Sequence, residues 1–133
     1  MIQDSLKLIG RLLIAALFIP AGFQTLSDIA AAAGYFQQLG LPLPTLAAWG
    51  VGIFELLAGA LILLGWQTMI VATSLGLFAI VAGLLGHYGQ GGDDATLRFL
   101  HSQMFWKDVA IGGGLFILAA TGAGVYSLDA RRI

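Results

Sequence analysis

Apolar residues gather into four long blocks, at about residues 8–26, 46–66, 69–87 and 107–126. Each is close to the ~20 residues a helix needs to cross a hydrocarbon layer about 30 Å thick. A helix satisfies its own backbone polar groups in lipid, so the pattern predicts four transmembrane helices in an antiparallel bundle. The connections differ. Gly65, Trp66, Gln67 and Thr68 leave room only for a tight turn between the second and third blocks, with Trp66 at the depth of an interfacial aromatic. Between the first and second blocks, residues 28–39 suit a short interfacial helix, with Ser27 or Asp28 as its N-cap. Gly40, Pro42 and Pro44 then end it and turn the chain. Gly89, Gly91, Gly92, Asp93 and Asp94 read as a loop, and residues 95–103 as a second short surface helix before the fourth span.

Composition supports a single domain in a bilayer. Of 133 residues, 59% are hydrophobic and 10% charged, against about 25% charged in a soluble domain. Mean hydropathy is +0.92. A net charge of −1 and the lack of a long basic patch point away from nucleic acid. The absence of cysteine excludes disulfides, thiolate catalysis and Cys-ligated metals within the chain. Lys7 and Arg11 give the first block a positive start, but the small residues Ala30, Ala31 and Ala32 lie too far beyond it for a signal-peptide cleavage site. An uncleaved first span is therefore expected. Lys7, Arg11, Arg131 and Arg132 lie at the two ends of the chain and account for four of the six Lys and Arg residues, which orients both termini to the cytoplasm.

A few polar groups interrupt the apolar blocks. Glu55 lies near the middle of the second span, where a charge costs about 2.5–3.5 kcal/mol on insertion scales. It must face the bundle interior, be paired or be protonated. One reading is a proton-carrying or ligand-contacting carboxylate; the other is a structural carboxylate bonded to a neighbouring span. Gly52 and Gly59 share its face and permit close helix approach. Arg11, one turn inside the first span, has two readings as well: snorkelling to the lipid phosphates, or an ion pair with Glu55. Gln24, His87 and Lys107 fall at the boundary opposite the termini, either as a polar mouth above Glu55 or as ordinary interfacial solvation. His101 reads as a solvated loop residue, and its spacing from His87 matches no established metal motif. Phe18, Phe23, Phe54 and Trp106 are candidate pocket walls. No strong catalytic or phosphate-binding signature is present.

The order of several short motifs resembles the DoxX family of small four-span bacterial inner-membrane proteins. These are Ile9-Gly10-Arg11-Leu12-Leu13 with Phe18-Ile19-Pro20-Ala21-Gly22-Phe23, then Leu39-Gly40-Leu41-Pro42, then Phe54-Glu55-Leu56 with Gly59. Leu64-Gly65-Trp66, His87, Phe105-Trp106-Lys107-Asp108 and Thr121-Gly122-Ala123-Gly124-Val125-Tyr126-Ser127-Leu128-Asp129 complete it. Gln24, Gln67-Thr68 and Lys107-Asp108 depart from residues common in the family, and the missing base at Gln24 argues against an anion site.

The resemblance implies a four-helix membrane bundle. Its functional implication is broader, because some relatives are subunits of thiosulfate–quinone oxidoreductases and others accompany membrane redox complexes. The leading expectation is a quinone-associated or accessory subunit of a redox assembly, with no intrinsic cofactor, a quinone as the ligand and a membrane or periplasmic redox protein as partner. Glu55 would be its proton-linked group, with Arg11, His87, Lys107 and Gln24 in support. A small-molecule or lipid carrier acting as an oligomer, with a homodimer as the simplest form, and a structural anchor for a soluble partner are the alternatives.

Overall fold

The computed structural model describes residues 1–132, and their regular structure is helical. Five α-helices follow in order: α1 (Ile2–Ser27), α2 (Ile29–Gln38), α3 (Pro44–Leu64), α4 (Thr68–Gly86) and α5 (Ala95–Thr121). A 3-10 turn, Asp129–Arg131, lies in the tail after α5. The four long helices are each long and apolar enough to span a bilayer. Their outward faces carry large apolar residues, Leu13, Leu17, Trp49, Leu57, Ile70 and Ile117 among them, as a surface solvated by lipid requires.

Local chemistry sets the helix limits. The Asp28 side chain accepts a hydrogen bond from Ala31 N and so caps α2. Asp94 accepts from Thr96 N and Leu97 N at the start of α5. Pro44 occupies the first turn of α3, where its missing N–H costs nothing. The fourth span departs from the apolar pattern at both ends. Residues 95–103 are not a separate surface helix: with no Gly or Pro from Ala95 to Ile111, the hydrogen-bonded ladder runs unbroken into the span. At the other end α5 stops at Thr121, because Gly122 and Gly124 adopt positive φ and turn the chain back across the bundle.

Two tight pairs build the bundle, α1 with α3 and α4 with α5. Glycines make both possible. A Cβ on Gly22 would lie 2.5 Å from Leu56 N and 2.8 Å from the Gly52 carbonyl, so the α1 and α3 backbones touch there. Gly76 and Gly112 face each other in the same way between α4 and α5. The α3–α4 turn is short, yet these two helices pack less closely with each other than with α1 and α5.

The apolar core includes Phe18, Ile62, Leu75, Leu115 and Leu118, with Ile14 and Val71 packed against it. It fills the half of the bundle near the termini. The other half is hollow, and α2 lies against α3 beside it.

Candidate functional site

The hollow is a cavity of about 730 Å³ between the two helix pairs. The end of α1 contributes Gln24 and Thr25, and α2 contributes Tyr35 and Phe36. Val51 and Glu55 come from α3, Phe78 and Leu85 from α4, His87 from the position just after α4, and Asp108 from α5. The walls are mostly apolar, with a few polar groups converging on one space, which is the usual make-up of a small-molecule site. Tyr35, Val81 and Leu85 line the cavity yet stay about half exposed, so it opens sideways to the lipid.

Glu55 sits deepest along the spans, about eleven residues or roughly 16 Å into α3. It is half-buried, and no described side chain forms an ion pair with it. Phe54, its neighbour, turns away and packs its ring 5.1 Å from that of Phe78. Nearer the cavity mouth, His87 caps α4 and turns a different ring nitrogen to each of two neighbours. Its Nδ1 is 2.8 Å from Nδ1 of His101, and its Nε2 is 4.0 Å from Oδ2 of Asp108. Gly83 allows this approach, since a Cβ there would lie 2.8 Å from that of Asp108.

The structure therefore brings Glu55, His87 and Gln24 to one cavity and places the other sequence candidates elsewhere. Lys107 is exposed and outside the lining. Arg11 lies at the opposite end, 1% exposed, so it neither snorkels nor reaches Glu55. Its guanidinium donates instead to the carbonyls of Ile62, Leu63, Ala123 and Tyr126. Of the aromatic candidates, Phe18 is in the core, Phe23 faces lipid at 67% exposure, and Phe54 packs against the core. Trp106 borders a second, smaller hollow of about 280 Å³ on the outer side of His87. The aromatic walls of the main cavity are Tyr35, Phe36 and Phe78.

Asp108 lines the cavity without any mark in the apolar pattern, and His101 is not the solvated loop residue its polar surroundings predict. Both follow from reading α5 as one helix. Residues 101, 105 and 108 are spaced by four and three, so they share a face, and His101 is half-buried against His87.

Among the described groups outside the membrane-spanning helices, Asp129 is the one whose titration is displaced. Burial pushes its carboxyl up, but hydrogen bonds from Thr68 and Gln67 and the charge of Arg132 outweigh this and hold it below its ordinary value.

Comparison with known proteins agrees with the architecture. The DoxX family model matches residues 6–88, which carry α1 to α4. Inner membrane protein YphA of Escherichia coli (strain K12) is 34% identical over 128 residues, 95% of this chain and 89% of the relative. Inner membrane protein YqjF of the same strain is 32% identical over 133 residues, 96% of this chain and 92% of the relative. Uncharacterized membrane protein Rv3486 of Mycobacterium tuberculosis (strain ATCC 25618 / H37Rv) is 32% identical, with 91% of this chain and 77% of the relative covered. No solved structure matches the chain. The family match over most of the chain, the near full-length relatives and the four spanning helices together place this membrane protein in the DoxX family.

Proposed function

We propose that the protein is an accessory membrane subunit of a redox assembly that holds a quinone-class molecule in the cavity between its helix pairs. The observation that carries this reading is Glu55, a carboxyl group without an ionic partner among the described side chains, opening into an apolar, aromatic-lined space. A quinone needs flat apolar contact for its ring, a hydrogen-bonding group at each carbonyl, and a lipid-side entry for its tail. Tyr35, Phe36 and Phe78 offer the first; Glu55 and Gln24, or His87, offer the second. The half-exposed Val81 and Leu85 border the third. The volume lies within the about 300–1,000 Å³ typical of small-molecule sites. A bound quinone would supply electron and proton acceptance; the chain would orient the ring and, through Glu55, hold a proton at one oxygen. With the termini in the cytoplasm, the cavity lies in the outer half of the bilayer, facing a periplasmic or membrane partner.

The test is binding of a short-tailed benzoquinone to the protein in lipid nanodiscs, read by tryptophan quenching and calorimetry. Glu55→Gln is expected to weaken binding at least tenfold while the bundle keeps its thermal stability. Unchanged binding in that variant would remove Glu55 from the role. The sideways opening also suits a carrier of lipophilic molecules, and quinone-independent, Glu55-dependent flux in proteoliposomes would favour that second reading.

A further inference from the structure

Three groups, one capping α4 and two on α5, make a line from the cavity to the bundle surface: Asp108 on the cavity wall, His87 at its mouth and half-buried His101 outside it. The connection is directional, because the two neighbours of His87 take its two ring nitrogens separately, His101 at Nδ1 and Asp108 at Nε2. A metal ion shared by all three would need the donors of His87 and Asp108 to converge, and here they meet on opposite edges of the His87 ring. Nor does any group of three metal-ligating side chains converge among the described residues. Separate nitrogens on separate partners are instead the arrangement of a proton wire.

We propose that Asp108, His87 and His101 form a proton relay joining the cavity to the aqueous face at the end of the bundle opposite the termini. With Asp108 ionised, its charge favours N–H at Nε2 of His87, which leaves the His87 Nδ1 lone pair to accept the Nδ1–H of His101. A proton arriving from water binds the free Nε2 of His101. The His101 Nδ1–H then passes to Nδ1 of His87, and the His87 Nε2–H passes to the Asp108 carboxylate. One proton enters at the surface and one appears on Asp108 inside the cavity; each ring ends neutral with its proton on the other nitrogen. The reverse sequence carries a proton out, and ring reorientation resets the tautomers. The first transfer spans a 2.8 Å contact, while the 4.0 Å gap to Asp108 closes with a side-chain shift of about 1 Å. Gly83 is what lets Asp108 lie this close to the end of α4, since a Cβ there would stand 2.8 Å from the Asp108 Cβ.

Other charged and titratable groups around the line are few. Tyr35 of α2, Glu55 of α3 and Asp28 between α1 and α2 share the cavity with His87 and Asp108. Tyr88 and Arg98 share the outer hollow with His87, and the Arg98 guanidinium is held by the Gly92 carbonyl. Lys107 precedes Asp108 but is exposed. None of these stands between His87 and either partner.

The chain contains only two histidines, so ¹⁵N-histidine labelling reports on the relay alone. In nanodiscs, the two Nδ1 nuclei should show a coupling across a shared hydrogen bond, and Asp108→Asn should change the tautomer of both rings. A pH jump followed by the infrared carboxyl band lost in Asp108→Asn should show protonation slowed at least tenfold in His101→Phe, which keeps an aromatic ring in place. Gln103→Ala, exposed on the same helix, should leave the rate within twofold. Independent histidines, a His101 ring indifferent to Asp108→Asn, or an unchanged rate in His101→Phe would overturn the relay. So would stoichiometric zinc binding that shifts both rings through Nδ1. No quinone enters these measurements, so their outcome is separate from that of the cavity's ligand.

Discussion

Arg11 and Asp129 grip the α3–α4 turn from opposite sides. Arg11 donates to the Ile62 and Leu63 carbonyls at the C-terminus of α3, while Asp129 accepts from Gln67 N and Thr68 N at the N-terminus of α4. Each charge meets the helix end of opposite partial charge. The tail backbone completes the fastening: Leu128 N donates to the Leu64 carbonyl and Asp129 N to that of Gly65. With Trp66 N bonded to the Leu61 carbonyl, each of the last four carbonyls of α3 has a partner. Gln67, held at φ 51°, tolerates its left-handed backbone because Asp129 fixes its N–H. The tail is thus a structural plug at the end where the termini meet, far from the cavity.

Removing Arg11 should be the most damaging single change in the chain. Arg11→Met leaves four carbonyls without their charged donor, and Arg11→Lys cannot reproduce the fan of Nε and both Nη groups. A loss of at least about 3 kcal/mol is expected for Arg11→Met, since hydrogen bonds from charged groups contribute about 1.5–3 kcal/mol each. Unfolding in mixed micelles would measure it, and full stability in Arg11→Met would contradict the account.

Asp129 predicts an acid-sensitive tail. Its carboxyl titrates below its ordinary value in the folded protein, so it stabilises the fold at any pH above the unfolded value of about 3.9. That contribution disappears as the pH falls from there through the lower, folded value. Asp129→Asn should lower Tm at pH 7, and the gap to the native chain should close below about pH 4. A gap independent of pH would mean that the charge is not what holds the turn.

At Gly22 even one methyl group should be felt. A Cβ there meets backbone atoms of Leu56 and Gly52, which cannot give way as a side chain can, so Gly22→Ala should cost about 1–3 kcal/mol. Gly34→Ala on α2, with nothing within 4 Å, should be neutral or slightly stabilising. Paired thermal melts of the two variants separate close packing from a general intolerance of substitution.

Cavity lining and sequence position make opposite predictions for two adjacent regions. Tyr35→Ala removes a wall and should weaken short-tailed benzoquinone binding at least fivefold. Lys107→Ala and Phe23→Ala, outside the lining, should change it less than twofold. An effect of Lys107→Ala as large as that of Tyr35→Ala would place the binding site elsewhere.

Much of this architecture is decided by the sequence itself. Four apolar blocks of spanning length, a tight turn at Gly65 and an N-cap at Ser27 or Asp28 require four crossings and a short helix, because backbone groups in lipid have no partner but their own helix. The mid-span carboxylate of Glu55 also marks itself, since its cost in lipid demands an interior position. Which helices pair is a tertiary matter: Gly22, Gly52, Gly76 and Gly112 are legible as small residues, but their partners depend on three-dimensional approach. The same holds for Arg11, whose four acceptors are backbone carbonyls, atoms that every residue carries and no motif records. His101 and Asp108 join His87 only because α5 runs unbroken from Ala95 and packs along α4, and contacts between distant segments leave no periodicity in the chain.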